Sequence, residues 1–205
     1  MPVDAKTLRT QNQAEEVYER TDYGRAFFIY RNELAPIGDK YGQYMVGFMY
    51  LTGKGVEEDR VAASAWYRLA AERGAKEFVR VSDQLMRSLN EAQLAESDLL
   101  FVELRKEFGD LALLVEAIRQ DYDKLRERTG SRLGGGGSSV TTIQLGSGAS
   151  DADYYGRIER RIKARLEYIA RYAEVGIADL EVDDVDSVDI DEIERLVTAY
   201  LNRLD

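Results

Sequence analysis

Carboxylates, lysines and tyrosines are the side chains left to this chain for acid-base chemistry, because its 205 residues include no histidine and no cysteine. That absence removes thiolate nucleophiles, Ser-His-Asp triads, histidine bases and the usual zinc and haem ligand sets. Glu72, Glu103, Glu107 and Glu116 could do acid-base work if burial separated their pKa values, but no spacing points them into one cleft. No catalytic residue, cofactor-binding residue or metal ligand is assigned, and the expectation is a protein that is not an enzyme.

Three further segments raise a ligand question. Gly134 to Gly137 could cradle a phosphate, yet a P-loop needs a Lys-Ser/Thr pair after its glycines and none follows. The alternating carboxylates from Asp183 to Glu192 suit a hard cation such as calcium, but the glycine and terminal glutamate of an EF-hand loop are missing. Helix capping plus a solvated acidic loop is the simpler account. Arg157, Arg160, Arg161, Lys163, Arg165 and Arg171 crowd one segment beside Tyr154, Tyr168 and Tyr172, a combination that could grip nucleic acid. Glu174, Asp179, Glu181, Asp183, Asp184, Asp186, Asp189 and Asp191 follow directly, so these opposite charges are expected to pair within the chain or between subunits. The net charge of -10 also sets the chain against nucleic acid and anionic membranes, which leaves protein as the expected partner.

The elements that would position a site are clearest from Tyr44 to Gly74. Gly47 interrupts an apolar helical run, where glycine costs roughly 1 kcal/mol against alanine, and close approach by a second helix would compensate. Thr52, Gly53, Lys54, Gly55 and Val56 form a tight connection in which two glycines can take positive φ and Val56 can tuck under the turn. Asp59 stands where it can cap a second helix carrying Val61, Ala62, Ala65, Trp66, Leu69 and Ala70 at helical spacing, and Gly74 closes that helix. Small Ala63, Ala70 and Ala71 leave room that Trp66 and Tyr67 fill.

Gly47, Tyr50, Gly53, Gly55, Val56, Asp59, Ala63, Trp66, Tyr67, Ala70, Ala71, Glu72 and Gly74 together resemble the Sel1-like repeat, a relative of the tetratricopeptide repeat. Ala62 departs from the pattern, since the family usually carries lysine there. Asp22, Arg25, Ala26, Ile29, Tyr30, Leu34, Ala35 and Gly38 look like the second helix of an earlier repeat, with Ile29 in the tryptophan position and a slip of about one residue after Tyr30. Ala75 to Leu89 looks like the first helix of a following unit without its usual glycine. The resemblance covers Asp22 to about Leu89, and it implies helix pairs stacked into a right-handed superhelix whose inner surface holds segments of other proteins.

The flanks complete an all-α expectation. Leu8, Ala14, Val17 and Tyr18 mark an N-terminal helix from about Asp4 to Arg20. Leu94, Leu99, Val102, Leu104 and Phe108, then Leu111, Leu114, Ile118, Tyr122 and Leu125, read as two closing helices broken at Gly109. Glycine and serine dominate residues 130–150, a linker around the β-prone run Val140 to Leu145, which could add a strand to a sheet edge. Tyr155, Ile158, Ile162, Leu166, Ile169 and Ala173 then mark one helix face, and Ile193, Val197, Tyr200 and Leu204 another, capped by Ser187 or Asp189. The expected architecture is a short α/α solenoid of Sel1-like helix pairs with capping helices over 1–129, the linker 130–150, and a C-terminal helical hairpin over 151–205.

The expected function is a non-enzymatic protein-protein interaction module that binds a protein or peptide on the repeat surface. The alternative is a structural or assembly subunit that forms homo-oligomers, such as a homodimer, through the C-terminal helices. Tyr41, Met45 and Phe48 recur at i, i+4 and i+7 and are the candidate partner-binding residues, as an exposed apolar stripe or, equally, as a stripe covered by the N-terminal or closing helices. No stretch approaches the roughly 18 apolar residues of a membrane span, and the N-terminus lacks a signal-peptide core. The chain is expected in the cytoplasm if Met1 is native, and in a bacterial periplasm if a signal peptide was removed.

Overall fold

A computed structural model describes residues 5–130, 151–172 and 190–202, and among these every regular element is helical. The chain runs through α1 (Ala5–Glu19), α2 (Tyr23–Ile29), α3 (Lys40–Thr52), α4 (Arg60–Ala70), α5 (Lys76–Met86), α6 (Glu91–Phe108), α7 (Asp110–Gly130), α8 (Asp151–Tyr172) and α9 (Ile190–Asn202). Neighbouring helices pack in pairs, α1 on α2, α3 on α4 and α4 on α5, with α6 laid along α4. Among the described residues the architecture is all-α, with the helices of the first unit packed in solenoid-like pairs.

Local chemistry explains where the helices start and stop. Asp22, Asp39 and Asp59 each accept from backbone N–H groups at the start of α2, α3 and α4, the last from both Val61 and Ala62 at 2.9 Å. Asn90 and Gln93 close a reciprocal capping box on α6. Between α3 and α4 the backbone takes φ 63° at Gly53 and 77° at Gly55, and a Cβ on residue 55 would lie 2.3 Å from the Tyr23 carbonyl oxygen. Only glycine fits there.

Past Ile29 the helix widens into a π-helical turn, Tyr30–Leu34, and then tightens into a 3-10 turn, Ala35–Ile37. A π turn accommodates one extra residue, and it lies where the sequence resemblance slips by about one residue after Tyr30. Tyr30 and Leu34 within it are both buried.

The α3–α4 contact rests on Gly47. A Cβ there would stand 2.7 Å from the Tyr67 ring and 3.2 Å from the Ala63 carbonyl, so the missing side chain is the space Tyr67 occupies. Trp66 is 2% exposed, its ring 5.4 Å from that of Phe108 on α6, in a core with Ile29, Leu34, Met49, Leu69 and Leu104. Gly109 separates α6 from α7, where the sequence places a break.

The chain divides within α7 into two compact units, Met1–Leu113 with Leu201–Asp205, and Leu114–Tyr200. In the second, Ile118, Ile158, Ile162, Leu166, Ile169, Ile193 and Val197 are buried. Residues 131–150 and 173–189 lie outside the described residues, and with them the glycine run at 134–137, the β-prone run at 140–145, the caps at Ser187 and Asp189, and most of the acidic cluster.

Candidate functional site

Aromatic rings form a ladder across the first unit. Tyr44 of α3 stacks on Tyr67 of α4 (centroids 5.2 Å apart, planes 20° apart) and on Phe78 of α5 (5.4 Å, 27°), and Tyr41 continues the stack at 6.3 Å. Tyr41, Tyr44, Phe48 and Phe78 are half-buried, so their edges reach the surface. Of the residues singled out by spacing, Tyr41 and Phe48 share this face and pack against the core, while Met45 lies beneath it at 8% exposure. Helix α1 borders the same face, with Tyr18 6.5 Å from the Phe48 ring and Gln11 donating to Asp39 at 2.7 Å.

Burial, reinforced by a hydrogen bond to the Glu15 carboxylate, pushes the Tyr41 hydroxyl up to about 12, and burial raises Tyr30 and Tyr67 further. Beside them Lys54 donates to the Tyr18 hydroxyl at 2.7 Å, with its ammonium 5.0, 5.1 and 5.7 Å from the rings of Tyr18, Tyr23 and Phe48. The Tyr18 hydrogen bond raises the pKa of this lysine, so it stays a cation held by ring quadrupoles.

Under the ladder sits an ionic brace. Lys40, 8% exposed at the start of α3, donates to Gln43 Oε1 (3.1 Å), the Leu69 carbonyl (3.1 Å) and Glu72 Oε2 (3.0 Å), and pairs with Asp110 Oδ1 at 3.2 Å. Arg73 grips both Asp110 oxygens at 2.8 Å, Arg105 approaches Glu72 at 3.4 Å, and Glu72 Oε2 accepts the Asp110 backbone N–H at 3.0 Å, capping α7. Gln43 completes the brace by donating to the carbonyls of Ala35 and Phe108. Burial alone would raise the Asp110 carboxyl, but the Arg73 hydrogen bonds and the Lys40 charge outweigh it and hold the group below the usual carboxylate range.

Chemically the brace is a tie. Lys40 has four acceptors around one ammonium, and each carboxylate already has a cationic partner, which leaves no free base or nucleophile. Of the four glutamates with acid-base potential, Glu72 alone enters this cluster; Glu103, Glu107 and Glu116 are exposed. Among the described residues no group of three or more Asp or Glu side chains is placed to hold a metal ion.

The basic residues of α8 find a partner that sequence proximity did not suggest. Arg161 forks onto Asp121 of α7 at 2.8 and 3.0 Å, Arg165 reaches the same carboxylate at 2.6 Å, and Lys124 adds a third contact at 3.1 Å. Burial would raise the Asp121 carboxyl, yet the hydrogen bonds from Arg161, Lys124 and Arg165 hold it low. From the acidic stretch, Asp191 and also Glu194 pair with Arg119 of α7.

Sequence spacing missed Lys40, Gln43, Tyr44 and Phe78. The available signal was a lysine and a glutamine three residues apart within an otherwise apolar helix, which burial obliges to find partners. Among the described residues no helix is long and apolar enough to cross a membrane. Comparison with protein-family models, with curated proteins and with solved structures finds nothing that matches this chain.

Proposed function

We propose that this chain is a non-enzymatic interaction scaffold of the Sel1-like repeat type, which holds a protein or peptide on the face formed by α3 and α5. The observation that carries the reading is the stacked, half-buried run Tyr41–Tyr44–Phe78, seated on the packed Tyr67. Stacked tyrosines offer rigid contact area at low entropic cost together with hydroxyl donors, the composition enriched where proteins meet. Tyr41 and Phe48 border the contact face, and Met45 supports it from below. The glycine turns, the Asp59 cap and the buried Trp66 support the Sel1-like assignment, because each occupies the role that the repeat pattern gives it.

The brace argues for the same class. Its charged groups are spent on holding α3, α4, α6 and α7 together, which suits a rigid platform rather than a reaction centre.

The test is cross-linking capture from cells of the source organism with the full chain and with a Tyr44→Ala/Phe78→Ala variant. Cross-links should map to α3 and α5 and disappear in the variant, with its helical circular dichroism retained. Cross-links that persist in the variant, or that fall on α8 and α9, refute the proposed face. Turnover of a substrate by the purified protein, abolished by one carboxylate substitution, refutes the class.

A further inference from the structure

Helix α1 is joined to α2 by a turn that is both short and strained. Its last turn closes with the Thr21 N–H on the Tyr18 carbonyl (2.9 Å) and the Asp22 N–H on the Val17 carbonyl (3.2 Å), a C-terminal motif whose pivotal residue must be left-handed. Glycine usually fills that position. Here it is Thr21, at φ 61°, the sole non-glycine with positive φ among the described residues and β-branched as well.

Helix α1 is seated by a small apolar set and by polar ties. Its buried side chains are Ala14 and Val17, the Tyr18 ring lies 5.0 Å from Tyr23 and 6.5 Å from Phe48, and polar contacts join Gln11 to Asp39 and Tyr18 to Lys54, each at 2.7 Å, and Glu15 to Tyr41. All of these contacts lie between α1 and the rest of its unit. Any α1 with the same sequence makes them equally well. No glycine or proline stands between Ala5 and Tyr23, so if Thr21 relaxes to negative φ, α1 and α2 can run on as one continuous helix.

We propose that the α1 seat is an interaction surface for a second copy of this chain: two molecules exchange their N-terminal helices, each α1 docking beside the partner's α2 and π-helical turn. Exchange conserves every α1 contact and releases the strain at both hinges, the condition under which short strained turns favour swapping. The Tyr18–Lys54 and Gln11–Asp39 contacts become intermolecular.

Position 21 is exposed, which allows two opposed substitutions that remove no packing contact. Glycine relieves the hairpin and disfavours the continuous helix, whereas alanine favours the continuous helix. Sedimentation equilibrium of the full chain from micromolar to millimolar concentration should show a dimer for wild type. Thr21→Gly should weaken it by about a hundredfold over two hinges. Thr21→Ala should tighten it roughly fivefold.

A Gln11→Lys variant supplies an amine that carbodiimide can couple to Asp39, and a mixture of isotopically heavy and light chains shows whether the coupled residues come from one molecule or two. Heavy–light coupling in the dimer supports the exchange. The proposal is overturned if all three position-21 sequences stay monomeric, if they share one dimer constant, or if coupling within the dimer is confined to single chains. Circular dichroism of each variant confirms that a monomeric result comes from folded protein.

Discussion

Lys40→Met tests the brace most directly, because methionine keeps the aliphatic length and deletes the charge. Four acceptors lose their donor: Gln43 Oε1, the Leu69 carbonyl, Glu72 Oε2 and Asp110 Oδ1, all within 3.2 Å of the ammonium. Removing one member of a buried ion pair ordinarily costs about 3–5 kcal/mol. Here Asp110 keeps the Arg73 fork and Glu72 keeps Arg105 and a backbone N–H, so the expected loss is smaller, about 2–3 kcal/mol. The chain has one tryptophan, Trp66, buried in the same unit, so its fluorescence follows this unit during urea unfolding. The midpoint should fall by about 1 M. The pH dependence supplies the sign. Asp110 is depressed in the folded state, so its contribution is complete above the unfolded value of about 3.9 and is lost as pH falls through the folded value. Without Lys40 that folded value rises, the acid loss shrinks, and the gap between wild type and variant should narrow as pH falls below the unfolded value of about 3.9. A variant within about 0.5 kcal/mol of wild type at neutral pH, or a gap that stays constant into acid, refutes the brace as a source of stability.

Four further outcomes follow from the geometry. Gly47→Ala should destabilise by about 1–3 kcal/mol in thermal unfolding despite alanine's better helix propensity, because its Cβ would meet the buried, stacked Tyr67 ring. Trp66→Ala should cost about 3–5 kcal/mol by urea denaturation followed by circular dichroism, since it empties a core site shared with Phe108 and covered by the Arg31 guanidinium. Asp121→Asn should speed amide exchange in α8, at a cost of about 1–3 kcal/mol, reduced from a fully buried pair because Arg161 and Arg165 are partly solvated. On the alkaline side, Tyr30, Tyr41 and Tyr67 have folded values above the unfolded value of about 10, so stability is complete below that pH and is lost as pH rises through the folded values. Tyrosinate absorbance should therefore show a fraction that ionises late, together with loss of helical signal; uniform ionisation near pH 10 with the helices intact would contradict it.

What the sequence made legible was local and periodic. Asp59, Gly53, Gly55 and Gly74 act on backbone within a few residues of themselves, so their types predict their roles, and φ values of 63–77° at the three glycines match that expectation. The slip after Tyr30 falls at the π-helical turn, within which Tyr30 and Leu34 are buried. Long-range polar chemistry was not legible. Glu72 pairs 32 residues back with Lys40, and its bond to the Asp110 backbone spans 38 residues, separations at which no spacing rule operates. Arg161 and Arg165 likewise pair 40 and 44 residues back with Asp121, a partner that proximity in sequence does not indicate.

The aromatic face shows why the site was half visible. Tyr41, Met45 and Phe48 share a helical stripe, but a stripe marks only the side of a helix that meets something apolar, and the same pattern serves a core and a docking surface equally. Met45 went to the core because α3 has neighbours on more than one flank, while the stacked edges of Tyr41 and Tyr44 were decided by Phe78 arriving from α5, 34 residues beyond Tyr44. Periodicity supplied the helix and its apolar side. Burial by a third element determined which rings keep an edge at the surface.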